Sequence, residues 1–188
     1  PLQLYGMIHW PVPDSFSKKP PAPGENGSFW QDRLDRRHAG VDLYAPVGSS
    51  VLLPEDGLIL EVSPFTSPSV KPYWNLTYAV TIELGSGLVL RLAELETVIV
   101  TPGTSLQAGS PIGFIGSVLN PSLVSSASPL YIQELVRENH PSMLHIEMHR
   151  CFPPDTNSYL GGNYFQQEIP DSLMDPTEYL TNCTPEDE

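Results

Sequence analysis

Proline and glycine interrupt this chain so often that few stretches could form a long helix. The 188 residues include 21 prolines and 14 glycines. Proline lacks the backbone N–H that a helix interior needs and glycine favours turns, so their close spacing favours short strands joined by turns. The chain is therefore predicted to be mostly β.

Alternating apolar residues mark the predicted strands, which are Val51–Leu53, Leu58–Val62, Tyr78–Leu84 and Leu88–Leu92. Gly85 to Gly87 lie between the last two strands and predict a hairpin, which makes the sheet antiparallel. Leu130 to Glu138 is the only segment with a convincing helical pattern. We therefore expect an antiparallel, sandwich-like β-sheet with short helical insertions.

The length and the charge limit the class of protein. A chain of 188 residues can bury one substantial core, so we expect a single domain over residues 1–188. Within it we predict an N-terminal strand and Pro-rich loop (1–30), an inserted loop and helix (118–142) and an acidic tail (181–188). No apolar run reaches the roughly 18 residues of a membrane span. The net charge of −13 gives no attraction for nucleic acid, so we expect no nucleic-acid partner.

Three side chains are candidate metal ligands. His38 and Asp42 lie close together in the sequence with Gly40 between them, and His145 follows much later. Imidazole and carboxylate groups are typical ligands of zinc. Three protein ligands that leave a fourth position open are typical of a catalytic zinc site. The sequence therefore predicts that zinc binds to His38, Asp42 and His145.

The segment around His145 is predicted to be a strand. A period of two places Met143, His145, Glu147 and His149 on one face, and Leu144, Ile146 and Met148 on the other. The apolar face can then pack into the core while His145 faces the other two ligands. A helical HxxxH zinc motif over His145–His149 is the alternative, but the preceding Pro141 and the β-rich context argue against it.

The blocks around these residues resemble the lysostaphin and LytM type of zinc endopeptidase, the M23 family. Residues 38–62 are similar to the opening HxGxDxxAPxGxxV pattern and the DG-containing strand after it. Residues 100–116 resemble VxxGxxVxxGxxIGxxG, and residues 175–180 resemble the closing DPxxYL segment. The resemblance covers residues 7–180 in outline and implies the mostly β LytM fold. It also implies the metal ligands His38, Asp42 and His145.

Two positions depart from the family pattern at its proton-handling histidines. The first histidine of the family's HxH segment corresponds to Met143, which cannot accept a proton. The histidine of the family's YxHL segment corresponds to Glu94. A carboxylate near an attacking water is a general base in other zinc peptidases, so Glu94 is a candidate base. His140, in the inserted loop, is a second candidate for catalysis.

Other polar residues are predicted to support the site. Glu147 is expected to hydrogen-bond the far ring nitrogen of a metal-bound histidine, and His149 to lie behind the ligands or at the rim. Arg33 and Arg37 are candidates for binding a substrate carboxylate, with a plain surface position as the alternative. In an oxidising compartment the two cysteines, Cys151 and Cys183, would form one disulfide that ties the tail back to the His145 strand.

Two main functions remain open, and a third reading, a purely structural β module without metal, requires the spacing of His38, Asp42 and His145 to be a coincidence. The first is a degenerate, non-catalytic domain that keeps zinc and binds a peptide, a cell-wall peptide or a protein partner. The second is an active zinc endopeptidase that cuts cell-wall or glycine-rich peptide cross-links, with Glu94 as the base. The loss of both family histidines favours the first. The resemblance implies an extracellular, periplasmic or cell-envelope location in either case.

Overall fold

The computed structural model describes residues 8–183, which form an antiparallel β fold with two α-helices. The strands are β1 (Arg37–His38), β2 (Val41–Tyr44), β3 (Ser50–Leu52), β4 (Gly57–Thr66), β5 (Thr77–Leu84), β6 (Val89–Val98), β7 (Ser105–Leu106), β8 (Pro111–Ile115), β9 (Met143–His149), β10 (Tyr159–Leu160), β11 (Asn163–Tyr164) and β12 (Leu173–Met174). The helices are α1 (Leu130–Arg137) and α2 (Thr177–Thr181), and a 3-10 turn covers Pro121–Leu123. The prediction of a mostly antiparallel β fold is confirmed.

The strands form one large and one small sheet. The large sheet has the order β12-β9-β6-β5-β4-β7, with β2 paired to β9 and with β8 paired to both β3 and β6. The small sheet has the order β1-β11-β10. Because β2 and β9 pair directly, Asp42 lies opposite His145 in the register. The small sheet holds His38 opposite Asn163. The two sheets therefore meet at the three candidate ligands.

Strand β9 separates two apolar clusters in the way its alternation predicts. Leu144, Ile146 and Met148 lie in the main core together with Trp10, Leu53, Ile59, Ile82, Leu92 and Leu95. Met143 lies in a second cluster with Tyr73, Trp74, Val118, Leu119 and Ile132. The inserted segment thus adds a small core of its own, which packs against the sheet beside the candidate metal site.

The local predictions for the hairpin and the helix are confirmed. Gly87 N–H donates to the Leu84 carbonyl (2.9 Å) and closes the turn that joins β5 to β6. Helix α1 begins directly after Pro129, whose fixed φ suits a helix start, and Asn139 follows it in the left-handed conformation (φ 56°). The HxxxH alternative is wrong, because His145 to His149 form an extended strand paired on both sides.

The chain ends agree only in part with what the sequence predicts. Residues 1–7 and 184–188 lie outside the described part, and residues 8–30 run mainly as turns and bends. The N-terminal strand and the acidic tail therefore stay predictions. The disulfide prediction is wrong for this structure, because Cys151 is an exposed free thiol and Cys183 is a buried one that packs in the main core. Within residues 8–183, no helix is long and apolar enough to cross a membrane.

Candidate metal centre

Three buried ligand atoms converge where β1, β2 and β9 meet. His145 Nδ1 lies 2.9 Å from Asp42 Oδ1 and 3.0 Å from His38 Nε2, and the His38–Asp42 distance is 3.2 Å. Two ligands of a tetrahedral zinc, each about 2.0 Å from the metal, lie roughly 3.3 Å apart. The separations within the triad are therefore within a few tenths of an ångström of those in a zinc site.

The outer ring nitrogens fix which nitrogen of each histidine faces inward. His38 Nδ1–H donates to the Ser28 carbonyl (2.8 Å), and His145 Nε2–H donates to Glu147 Oε1 (3.0 Å). A carbonyl and a carboxylate accept hydrogen bonds and cannot donate them. Each neutral imidazole therefore turns a lone pair toward the other ring and toward Asp42. Three acceptors that face each other this closely need a cation between them.

A proton serves as that cation in the metal-free protein. Although burial lowers the pKa of His145, hydrogen bonds to the carboxylates of Asp42 and Glu147 outweigh it and raise the pKa to about 9. Burial and the charge of Arg33 lower the pKa of His38 to about 4. The pKa of Asp42 lies well below its usual value despite burial, because both histidines stabilise the carboxylate. At neutral pH the triad thus holds one proton, on His145, and a metal must displace it.

The space beside the triad is a small cavity of about 30 Å³. Its lining includes Asp42, Glu94, Met143 and His145 from the sheet, and Val118, Tyr131, Ile132 and Leu135 from the inserted segment. A water molecule needs roughly 10–15 Å³ of such space, so the cavity has room for only about two or three waters. The inserted segment covers the side of the triad that the prediction left open for substrate.

Glu94 reaches this cavity because of a β-bulge in β6. The register shifts so that Ala93 and Glu94 lie between the pairs Tyr78–Leu95 and Val80–Leu92. Glu94 adopts a φ of 72°, a left-handed conformation that costs a non-glycine residue roughly 1 kcal/mol. Bulges of this kind redirect a side chain. Here the bulge brings a carboxyl group to the site.

The buried environment of the Glu94 carboxyl group favours its protonated form at neutral pH. It is 6% exposed, and its Oε2 accepts a hydrogen bond from Thr77 Oγ1 (3.1 Å). Burial raises its pKa to about 8, and the charge of Asp42 adds to that effect while His145 opposes it. The structure brings the three candidate ligands close together and places Met143 and Glu94 on the wall of the adjacent cavity.

His140 belongs to a different part of the surface. Its ring packs 5.0 Å from Tyr44 and 6.1 Å from Phe16, measured between ring centres. These three residues line a cleft of about 320 Å³ that also contacts Asp42 but is separate from the small cavity. His140 is thus a wall of the neighbouring cleft and does not line the metal cavity.

The two arginines singled out in the sequence have different surroundings. Arg33 Nη2 lies 3.2 Å from Asp42 Oδ2, and its Nη1 donates to Asn163 Oδ1 (3.0 Å). Its guanidinium also lies 4.5 Å above the ring of Tyr131 in α1. Arg33 thus binds a carboxylate of this chain and connects the triad to the inserted helix. Arg37 pairs with Asp32 (3.1 Å) and Gln167 instead, away from the cavity.

Glu147 lies behind His145, fully buried, at the centre of a polar network. His145 Nε2–H and the Tyr159 hydroxyl donate to its Oε1, and His149 Nε2–H donates to its Oε2 (2.9 Å). Arg91 Nη1 lies 3.5 Å from the same Oε2. The pKa of Glu147 falls well below its usual value because these donors outweigh the effect of burial. Glu147 is therefore ionised at neutral pH.

Sequence reasoning missed several contributors to this centre. Tyr159 and Asn163 lie on the two-residue strands β10 and β11, and no sequence motif marks them. Arg91 has a detectable signal only once the register is known, because it pairs directly opposite Glu147 in the sheet. Ser28 acts through its backbone carbonyl, for which a sequence carries no signal.

Comparison with known proteins gives one family match. The model described as peptidase family M23 matches residues 36–150, which is more than half of the chain. That stretch contains the three triad residues, Glu94 and Glu147. The comparison with curated proteins found no match.

Several solved structures share the fold. CbpA from L. salivarius REN has a TM-score of 0.55 at 15% identity, over 94% of this chain and 95% of that one. A candidate glycyl-glycine endopeptidase LytM from Ruminococcus gnavus has a TM-score of 0.53 at 16% identity, over 94% of this chain and 60% of its own. A candidate M23 peptidase from Pseudomonas aeruginosa gives 0.50 at 17%, over 96% and 53%, so this chain spans about half its length. At such identities the likeness shows the fold alone.

Proposed function

The chain belongs to peptidase family M23, and from that membership we propose that it is a zinc-holding, non-catalytic domain that binds a peptide or protein partner. The main support is the size of the cavity beside the triad, about 30 Å³. A peptide bond with its flanking residues needs several times that volume. The inserted segment fills the space that a substrate would need.

The donor set supports zinc as the metal. His38 Nε2, His145 Nδ1 and Asp42 Oδ1 provide two imidazoles and one carboxylate, which suit zinc better than magnesium or calcium. When bound, zinc would act as a Lewis acid toward a carbonyl oxygen. The chain's own contribution is to hold the three atoms within 3.2 Å of one another. Apolar residues and Arg33 shield them from solvent.

The groups around the cavity further support a non-catalytic role. Met143 occupies the place of a family histidine, and a thioether can neither accept a proton nor orient a water by donating to it. A positioned general base contributes typically 10²–10⁴-fold to rate. The chain thus combines an intact ligand set with a weakened proton-transfer apparatus.

The neighbouring cleft is our candidate for the partner site. It has a volume of about 320 Å³, and its walls include Phe16, Pro20, Pro21, Tyr44 and His140. Aromatic and prolyl walls with polar groups at the rim suit an extended peptide of two or three residues. We therefore place a peptide, a cell-wall peptide or a loop of a protein partner here. We propose a cell-envelope, periplasmic or extracellular location as well, which membership of family M23 supports.

An active zinc endopeptidase is the second candidate, and one observation favours it. Glu94 lines the same cavity as Asp42 and His145 and has a pKa of about 8, close to the pH at which a base works best. In that reading Glu94 takes the proton from the attacking water. The inserted segment would have to move away before a glycine-rich substrate could enter.

A cleavage assay distinguishes the two functions. We expect zinc-loaded protein to leave pentaglycine intact, as judged by mass spectrometry over hours at pH 7–8. The matched variants are Glu94→Gln and Glu96→Gln, since Glu96 lies on the same strand but is exposed. Cleavage that Glu94→Gln abolishes and Glu96→Gln preserves, with zinc still bound, would overturn the non-catalytic function.

Partner binding has its own test. We expect pentaglycine to shift the amide NMR signals of the cleft, around Phe16 and His140, at millimolar concentration. His140→Ala should weaken that binding several-fold, because the ring forms one wall of the cleft. Shifts confined to residues outside the cleft would contradict this assignment.

A further inference from the structure

A short segment after β9 lies against the metal centre from outside the family-matched region. It comprises residues 159–163, from β10 through Gly161 and Gly162 to the start of β11, and we name it the clasp. The family match ends at residue 150, so the clasp is not part of the matched region. Its side chains and backbone nevertheless contact two of the groups that hold the triad in place.

The first contact runs from Tyr159 through Glu147 to His145. The Tyr159 hydroxyl donates to Glu147 Oε1, the same oxygen that accepts from His145 Nε2–H. Arg91 lies 5.7 Å from the centre of the Tyr159 ring and also pairs with Glu147. Tyr159 thereby fixes the position of the oxygen that orients the imidazole. This orientation points His145 Nδ1 at Asp42.

The second contact runs from Asn163 through Arg33 to Asp42. Asn163 Oδ1 accepts from Arg33 Nη1 (3.0 Å), and Asn163 Nδ2 donates to the Gly161 carbonyl (2.8 Å). The Asn163 side chain is thus fixed by a hydrogen bond within the clasp and itself fixes the guanidinium of Arg33. Arg33 Nη2 in turn donates to Asp42 Oδ2. The other oxygen, Asp42 Oδ1, faces the two histidines.

The clasp backbone also packs on the ligand ring itself. A Cβ on Gly162 would lie 2.8 Å from His145 Cε1 and 2.9 Å from Nε2, closer than real Cβ contacts allow. Gly162 also has a φ of +76°, which favours glycine. The close approach of this backbone limits how far the imidazole can rotate.

We propose that the clasp is a built part of the metal centre, in which Tyr159 and Asn163 are positioning residues that set the affinity for the metal. The inference rests on the proposed metal site. Neither residue is one of the three candidate ligands. Tyr159 binds Glu147, which orients His145, and Asn163 binds Arg33, which pairs with Asp42. Mutation of such outer contacts typically weakens metal binding by about 10–100-fold.

Cobalt(II) titration of Tyr159→Phe tests the proposal, with visible absorption as the readout of both affinity and ligand geometry. We expect roughly tenfold or greater weakening and a changed d–d spectrum, because His145 is less firmly oriented. Tyr179→Phe is the matched control, since its hydroxyl is also buried but has no hydrogen-bond partner among residues 8–183, and its ring packs against the main core. It should bind cobalt as the wild type does.

Asn163→Ala provides the second arm, in case loss of the Tyr159 hydroxyl disrupts folding. It should also weaken cobalt binding about tenfold or more, with the circular dichroism spectrum of the metal-free protein unchanged. Equal affinity and identical spectra for the wild type and both variants would overturn the clasp while leaving the metal site intact. Failure of the wild type itself to bind cobalt would overturn the metal site, and the clasp with it.

Discussion

The proton held by His145 makes the affinity for metal depend steeply on pH. The metal-free triad carries one proton between about pH 5 and pH 8, because the pKa of His145 is about 9 while that of His38 is about 4. Metal binding requires the lone pair on His145 Nδ1 and so releases that proton. The affinity therefore rises with pH, by about tenfold per pH unit for one proton released. Between pH 6 and pH 8 this amounts to roughly 100-fold.

Glu94 is expected to make the affinity for metal rise further with pH. Its pKa of about 8 leaves it protonated near neutral pH without metal. A divalent cation in the triad would lower that pKa, because positive charge nearby favours the carboxylate. We therefore expect the wild type to release more than one proton per metal near pH 7, and Glu94→Gln to release close to one.

Zinc titrations at several pH values, in competition with a chelator of known pH dependence, measure both slopes. Calorimetry in two buffers of different ionisation enthalpy counts the released protons independently. An affinity for zinc that does not change between pH 6 and pH 8 would refute the assignment of the proton to His145. Equal slopes for the wild type and Glu94→Gln would refute the part assigned to Glu94.

Three further predictions concern stability and accessibility. Without metal, the raised pKa of Glu94 gives a stabilising contribution that is complete below its unfolded pKa of about 4.5 and lost as pH rises through about 8. Glu94→Gln should therefore be more stable than wild type at pH 9, by on the order of a few kcal/mol in urea unfolding, with little difference at pH 5. Gly40→Ala should destabilise the protein by at least roughly 1–3 kcal/mol in the same assay, because its Cβ would lie 2.1 Å from the Ile146 carbonyl oxygen; unchanged stability would contradict this packing. A thiol reagent should label Cys151 quickly in the native protein and Cys183 only after unfolding, since Cys183 is buried and its pKa is raised to about 12 by that burial; two fast thiols would contradict the burial.

Local patterns in the sequence predict much of this fold. The period-two alternation in β9 specifies which face enters the core, since Leu144 and Ile146 pack there and His145 does not. The Gly85–Gly87 turn and the helix after Pro129 also follow from residue type alone. These features depend on neighbours in the sequence, so a single chain carries enough information to predict them.

The environment of the site depends on long-range contacts that no local pattern encodes. The inserted segment covers the triad because Ile132 and Trp74 share an apolar cluster. The sequence marks Arg33 as a candidate for binding a substrate carboxylate or as a plain surface residue, yet its guanidinium lies between Asp42 and Asn163. The bulge that directs Glu94 inward is likewise invisible without the register of β5 and β6.

The metal content of the purified protein tests the central claim most directly. We predict about one zinc per chain by elemental analysis after equilibration with the metal and removal of the excess. Asp42→Ala should lose it, because Asp42 Oδ1 lies within 3.2 Å of both histidine nitrogens and completes the triad. No zinc in the wild type, or the same zinc content in Asp42→Ala, would contradict the assignment of His38, Asp42 and His145 as a metal centre.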